Sequence, residues 1–315
     1  MILTRADAAR YLREGDHFTI LTHRRPDGDT IGSAAALCLG LRQLGKTAYV
    51  LENPELTEKY RHLLVGLTKP QADGEDALIC VDVAASGMLP AAFASLKDRI
   101  VLRIDHHGTA SSFTPMELVE PDSAACGEII YELLLLLGVQ LDAPIANALY
   151  TAVSTDTGCF RYANTNTHSF QVAAACAAVS GDIFAINQVL FETNTLARLR
   201  LQGWLVENAL FLEDGKIVIC ALPLEQEKAM GLTEDDLENI SGFPRTIEGV
   251  RIAATLRQEE SGVVKLSVRA VPGYDSAAIC AKFGGGGHKG AAGANLSLSM
   301  EDAVKAVAEA MPAME

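Results

Sequence analysis

The run ALICVDV, residues 77–83, is apolar at consecutive positions and contains a single acid, Asp82. A strand with one solvated face would alternate apolar and polar residues. A continuous apolar run belongs to a strand covered on both faces, as in a parallel sheet. RIVLRID (99–105) is a second such run, and DHFTIL (16–21) and KTAYVL (46–51) are shorter strands ahead of them. Between those two, residues 30–44 carry apolar side chains at helical spacing and Gly45 stops the helix. Helical patterns also separate the later runs. Strand, helix, strand in repetition predicts an α/β fold on a mostly parallel sheet.

Helical patterns dominate from Ser123 to Leu190. FETNTLARLRLQGWLVENA (191–209) keeps a helical period with more charge and reads as a connecting helix. Beyond it the texture changes. KIVICALP (216–223), RIAATLRQ (251–258) and VVKLSVRAV (263–271) read as strands, with helices near 224–238, 274–282 and 299–312. The expectation is an N-terminal domain over 1–190, a helical linker over 191–209 and a smaller α/β domain over 210–315. A chain of 315 residues is long enough for two cores.

Composition narrows the class. Apolar residues make up 49% and charged residues 21%, as in an ordinary globular protein. No apolar run approaches the length that spans a bilayer. The opening MILTRADAARYLREGD carries charges throughout and does not read as a signal peptide. The seven cysteines sit singly in apolar segments, which suggests reduced core thiols in a cytoplasmic protein. The net charge of −14 argues against a protein that coats long nucleic acid, which needs a basic footprint. A small phosphorylated substrate remains compatible, because local cations or metals bind phosphate inside an acidic shell.

The polar residues that stand out share one address. HRRPDGD (His23, Asp27, Asp29) follows the first strand, Asp82 ends ICVD, and Asp105, His106 and His107 end VLRIDHH. In a parallel sheet the carboxyl ends of the strands form the crevice where ligands bind. TAVSTDTGCFRYANTNT adds Asp156 at the end of a helical run. Each has a plainer reading: Pro-Asp-Gly-Asp is a common turn with Asp as a helix cap, Asp82 alone could cap a loop, and a lone histidine is usually a satisfied core residue. Together, His23, Asp27, Asp29, Asp82, His106 and Asp156 make a mixed imidazole and carboxylate set without thiolate, which suits Mn²⁺, Mg²⁺ or Fe²⁺. Six donors exceed what one ion with open positions takes and fit two ions about 3.5–4 Å apart. Without metal, four crowded aspartates would repel one another.

KFGGGGHKGAAG (282–293) is the second unusual stretch. Consecutive glycines are entropically costly to order but allow close backbone approach, and their N–H groups can form an anion-binding nest. His288 and Lys289 add cationic donors, and Arg269 on the preceding strand is a candidate partner or a solvated strand charge.

HRRPDGDTIGS, ICVD, IDHH and STDTGCFRYANT, in this order, resemble the four signature motifs of the DHH phosphoesterases, and GGGGHKGAAG resembles the signature of their DHHA1 domain. The resemblance spans nearly the whole chain. Its layout is similar to the members that act as nano-RNases and as 3′-phosphoadenosine 5′-phosphate (pAp) phosphatases. It implies two Mn²⁺ ions, with Mg²⁺ or Fe²⁺ as substitutes, at His23, Asp27, Asp29, Asp82, His106 and Asp156. It also implies that His107 faces the scissile phosphate, that Asp105 orients an imidazole, and that Arg269, Gly285, Gly286, Gly287 and His288 hold the substrate's terminal phosphate or base. The implied partners are short RNA or DNA oligonucleotides or small nucleotides, with no long nucleic acid and no membrane. Monomer and homodimer both stay open. A phosphodiesterase for cyclic di-AMP or linear pApA is the nearest alternative. A related manganese pyrophosphatase is disfavoured by the glycine segment, and a non-catalytic nucleotide-binding module by the intact donor set.

Overall fold

The apolar runs form one sheet in which every neighbouring pair is parallel: β1 (Phe18–Leu21), β2 (Ala48–Leu51), β3 (Thr68–Lys69), β4 (Ala77–Val81), β5 (Ile100–Asp105) and β6 (Met116–Val119), in the order β3-β2-β1-β4-β5-β6. The computed structural model describes residues 1–108 and 112–314, in two compact units, Met1–Thr193 and Asn194–Glu315. Both faces of the first sheet are covered, as continuous apolar strands require. Ile20, Ile79, Val81, Leu102 and Ile104 enter one core with the helices, whereas Leu21, Leu78, Cys80 and Ile100 enter a second with Val83, Leu89 and Phe93.

The helices of this unit are α1 (Arg5–Glu14), α2 (Gly28–Gln43), α3 (Glu58–Arg61), α4 (Cys126–Leu137), α5 (Ala143–Asp156), α6 (Thr167–Val179) and α7 (Ile183–Asn187). The apolar helix α2 is buried almost throughout and packs closely on α5. A Cβ at Gly32 would overlap the Ala148 carbonyl oxygen and lie 3.0 Å from the Ala152 Cβ, so only glycine permits this approach. Strand order reverses between β1 and β4, which opens a crevice at their carboxyl ends.

The second unit holds a mixed sheet: β7 (Leu210–Leu212), β8 (Ile217–Leu222), β9 (Ile252–Gln258), β10 (Val264–Ala270), β11 (Gly286–Gly287) and β12 (Ala291–Leu296), in the order β11-β12-β10-β9-β8-β7. Only β8 and β9 run parallel. Its helices are α8 (Leu196–Glu207), α9 (Leu224–Met230), α10 (Glu234–Leu237), α11 (Ser276–Ala281) and α12 (Met300–Ala310). One sheet face packs with Ile279 and Val307, the other with Leu201 and Leu205.

Several details differ from the sequence expectation. The helix read as a connector over 191–209 is α8, and it lies within the second unit because Leu201 and Leu205 pack on Val218, Cys220 and Leu222. The helix expected from Thr30 starts at Gly28, because Asp27 caps it. The pattern over 224–238 splits into α9 and α10, since Gly231 ends α9 with a left-handed φ of +64°. All seven cysteines are free thiols, six of them buried. Among the described residues no helix is long and apolar enough to cross a membrane.

Candidate metal centre

Strands β1, β4 and β5 are consecutive neighbours, so their carboxyl ends open side by side. The chain reaches His23 two residues beyond β1, Asp82 directly after β4, and His106 and His107 directly after β5. Asp27 and Asp29 come from the N-terminal end of α2, and Asp156 is the last residue of α5. The close α2–α5 packing brings these two helix ends together. The potential ligand atoms form three overlapping groups, each with its atoms within 4.8 Å of one another: His23, Asp27 and Asp82; Asp29, His106 and Asp156; and Asp82, His106 and His107.

Asp82 is shared by the first and third of these groups, and His106 by the second and third. Asp82 Oδ2 lies 3.4 Å from His23 Nε2, whereas its Oδ1 lies 3.4 Å from His106 Nε2 and 3.6 Å from His107 Nδ1. That Oδ1 is buried and has no hydrogen-bond partner among the described residues. Asp82 also holds a left-handed φ of +58°, a conformation that costs of order 1–3 kcal/mol and that clusters at functional sites.

The two inner imidazoles are oriented alike. A carbonyl oxygen only accepts, so His23 Nδ1 donates to Arg24 O at 2.8 Å and His106 Nδ1 donates to Ser123 O at 3.2 Å. Both Nε2 atoms therefore face the carboxylates: His23 toward Asp27 at 3.5 Å, and His106 toward Asp29 at 3.7 Å and Asp156 at 3.6 Å. This is the arrangement in which a neutral imidazole offers Nε2 to a metal. His107 differs. Its Nδ1 donates to Asp105 Oδ1 at 2.8 Å, and its side chain is one-third exposed.

The aspartates have structural duties as well. Asp27 Oδ1 accepts from the N–H groups of Asp29 and Thr30 at 3.1 and 3.2 Å, so the turn-and-cap reading and the cluster both hold at this residue. Asp29 accepts from the first amides of α4, Cys126 at 2.7 Å and Gly127 at 2.9 Å, and from Ser33 Oγ at 3.0 Å. Asn164 was missed by sequence reasoning. Its Nδ2 donates to Ala124 O at 3.0 Å and Asp156 O at 3.1 Å, joining two of the segments that build the site. Its only signal was its place in the STDTGCFRYANT motif.

The electrostatics are those of crowded charge. Burial, then the charge of Asp82 and Asp156, pushes the Asp29 carboxyl well above the usual range. Burial likewise lifts Asp156 to about 7, against the pull of His106. Burial lowers His23 and His106, but contacts with Asp27 and Asp82 for the first, and with Asp82, Asp29 and Asp156 for the second, outweigh it and raise both to about 11. Asp82 is opposed by burial yet ends well below its ordinary value, held down by the two histidines. A donor-less buried oxygen, mutually repelling carboxylates and two inward Nε2 atoms fit a divalent cation, and nitrogen and oxygen donors without thiolate suit a hard one.

The remaining candidates lie in the second unit. Arg269 stands on β10 in register with Ala291 of β12 and Ala253 of β9, and its Nη1 donates to Val268 O at 3.1 Å. The glycine run forms β11, an exposed strand paired with Gly293 and Ala292. A Cβ at Gly285 would collide with Gly293 O, whereas Gly286 faces open space. His288 is exposed and closes a tight turn, its N–H donating to Ala291 O at 2.8 Å.

Comparison with known proteins places this arrangement. The model of the DHH family, N-terminal domain, matches residues 17–153, and that of the DHHA1 domain matches residues 214–313. The chain is 33% identical over 304 residues to the bifunctional oligoribonuclease and PAP phosphatase NrnA of Thermus thermophilus, covering 93% of this chain and 88% of that one. It is 25% identical over 298 residues to the protein of the same name from Mycoplasma genitalium, covering 91% of each. The solved structure of an exopolyphosphatase-related protein from Bacteroides fragilis shares the fold, with a TM-score of 0.81 at 24% identity over 97% of this chain and 95% of that one. The chain belongs to the DHH family, as a metal-dependent phosphoesterase made of a DHH domain and a DHHA1 domain.

Proposed function

We propose that this chain hydrolyses short oligoribonucleotides to mononucleotides and removes the 3′-phosphate of pAp to leave AMP, using two Mn²⁺ ions. The observation that carries the two-ion reading is Asp82, whose two oxygens face different donor groups. His23, Asp27 and Asp82 would hold one ion; Asp29, Asp82, His106 and Asp156 would hold the other. When bound, the ions activate the attacking water and neutralise charge on the phosphoryl oxygens. The substrate reading is supported by the relatives named as oligoribonucleases and PAP phosphatases.

The chain's own residues supply the rest. His107 presents Nε2 while Asp105 fixes the ring through Nδ1. Burial lowers His107, but Asp105 and Asp82 outweigh it, so the imidazole holds its proton more tightly than a free one. The Nε2–H then donates to a phosphoryl oxygen as charge develops there. In the second unit, Arg269, Gly285, Gly286, Gly287 and His288 are proposed to hold a terminal phosphate or base of the substrate.

A substrate panel with Mn²⁺ tests this reading. Release of AMP and phosphate from pAp, and of mononucleotides from 5′-phosphorylated dinucleotides, is expected. Hydrolysis confined to pApA or cyclic di-AMP, with pAp and 5′-phosphorylated dinucleotides of other sequence untouched, would transfer the chain to the cyclic-dinucleotide reading. Turnover of pyrophosphate alone would overturn both.

A further inference from the structure

Arg103 is a charged residue inside an apolar strand, and its side chain is only 2% exposed. It stands two residues before Asp105 on β5, so both project from one face of the sheet. The parallel register sets Glu117 of β6 directly beside it. The guanidinium is fixed on several sides: Nη1 donates to Ala84 O at 2.9 Å, Nη2 lies 3.3 Å from Glu117 Oε2, and the group sits 5.2 Å from the centre of the Phe113 ring. Glu117 Oε1 in turn accepts from the N–H of Phe113 at 3.1 Å and of Thr114 at 3.4 Å.

Asp105 is fully buried, and its two oxygens are unequal. Oδ1 accepts from His107 Nδ1 at 2.8 Å, from the His106 N–H at 2.9 Å and from the His107 N–H at 3.3 Å. Oδ2 has no hydrogen-bond partner among the described residues, and Arg103 Nη1 is 3.8 Å away. A buried carboxylate in this state needs a fixed cation close by, and Arg103 supplies it.

We propose that Arg103, anchored by Glu117, is a positioning residue for the reaction: it fixes the Asp105 carboxylate, which holds the His107 imidazole with Nδ1 as the donor and Nε2 toward the substrate. The inference rests on the reading of His107 as the residue that faces phosphate. The rival account is a cross-strand ion pair that only holds β5 to β6.

The full chain, labelled with ¹⁵N-histidine and loaded with diamagnetic Mg²⁺, separates the two. Wild type should show a downfield Nδ1–H resonance of His107, assigned by its loss in His107→Gln. Removing both buried charges in Arg103→Met/Glu117→Met leaves neither unpaired. That variant should move or broaden the resonance and lower kcat roughly 10–100-fold with Mn²⁺, while KM and Mn²⁺ affinity stay within about threefold. In an Asp105→Asn background the same pair of substitutions should change kcat less than about twofold, because the link is already cut. An unchanged resonance and kcat in the double variant would leave Arg103 as a cross-strand pair and overturn the proposal. Should that variant not fold, Arg103→Lys serves in its place, since one ammonium cannot meet Ala84 O, Glu117 and Asp105 as the guanidinium does. A His107 resonance unmoved in Arg103→Lys overturns the proposal equally. If wild type turns over none of the substrates, the functional reading fails and the resonance comparison alone decides the role of Arg103.

Discussion

His106 and His107 are adjacent in the chain but point to different partners. His106 Nε2 is surrounded by Asp29, Asp82 and Asp156, whereas His107 Nδ1 is held by Asp105. His106→Ala should therefore weaken Mn²⁺ binding by at least about 100-fold in a calorimetric titration. His107→Ala should leave that affinity nearly intact and lower kcat by about 10²–10⁴-fold. Equal metal affinity in both variants would refute the division of labour. The two inner histidines, His23 and His106, set a pH dependence. His23 and His106 are raised to about 11 in the metal-free protein, yet a ligating imidazole must be neutral. Metal must displace their protons, so apparent Mn²⁺ affinity should rise with pH across the neutral range. Because Asp29 and Asp156 are raised as well, calorimetry in buffers of different ionisation enthalpy should show at least about two protons released per chain near neutral pH.

At the scale of elements, the site depends on how closely α2 and α5 approach, because they carry Asp29 and Asp156. Gly32→Ala would set a methyl group against the Ala148 carbonyl and should destabilise the fold by about 1–3 kcal/mol in urea unfolding, with a loss of metal affinity. Gly74→Ala, where a Cβ meets nothing within 4 Å, is the control and should stay within about 0.5 kcal/mol. The strands that build the site were legible in the sequence because β4 is a continuous apolar run, β5 is apolar but for Arg103 and its terminal Asp105, and polar residues gather where they end. β6 was not, since Glu117 interrupts its apolar pattern and the partner that makes this charge tolerable, Arg103, lies on another strand. Spacing cannot reveal a pairing across 14 residues of chain between Arg103 and Glu117. Nor could it separate α8 from a connector, because a helix with apolar residues at Leu201 and Leu205 reads the same whichever sheet it packs on. The six residues proposed as ligands stand out in the sequence by type, but the inward Nε2 atoms depend on carbonyls of Arg24 and Ser123 that no side-chain motif encodes.

At the scale of the whole molecule, an acidic chain of net charge −14 surrounds a site built for cations. A net charge of this sign would repel long polyanions, whereas a short substrate would meet mainly the local field of a bound metal. Long single-stranded RNA should therefore inhibit pAp hydrolysis far less than a 5′-phosphorylated dinucleotide at equal concentration of molecules. Equal inhibition would place a binding track on the surface. Asp82 is proposed to join two metal positions in one site. Electron paramagnetic resonance during a Mn²⁺ titration of the metal-free chain tests it most directly. Two ions bound per chain are expected, with an exchange-coupled spectrum that is lost in Asp82→Asn. One bound ion, or two with independent spectra, would contradict it.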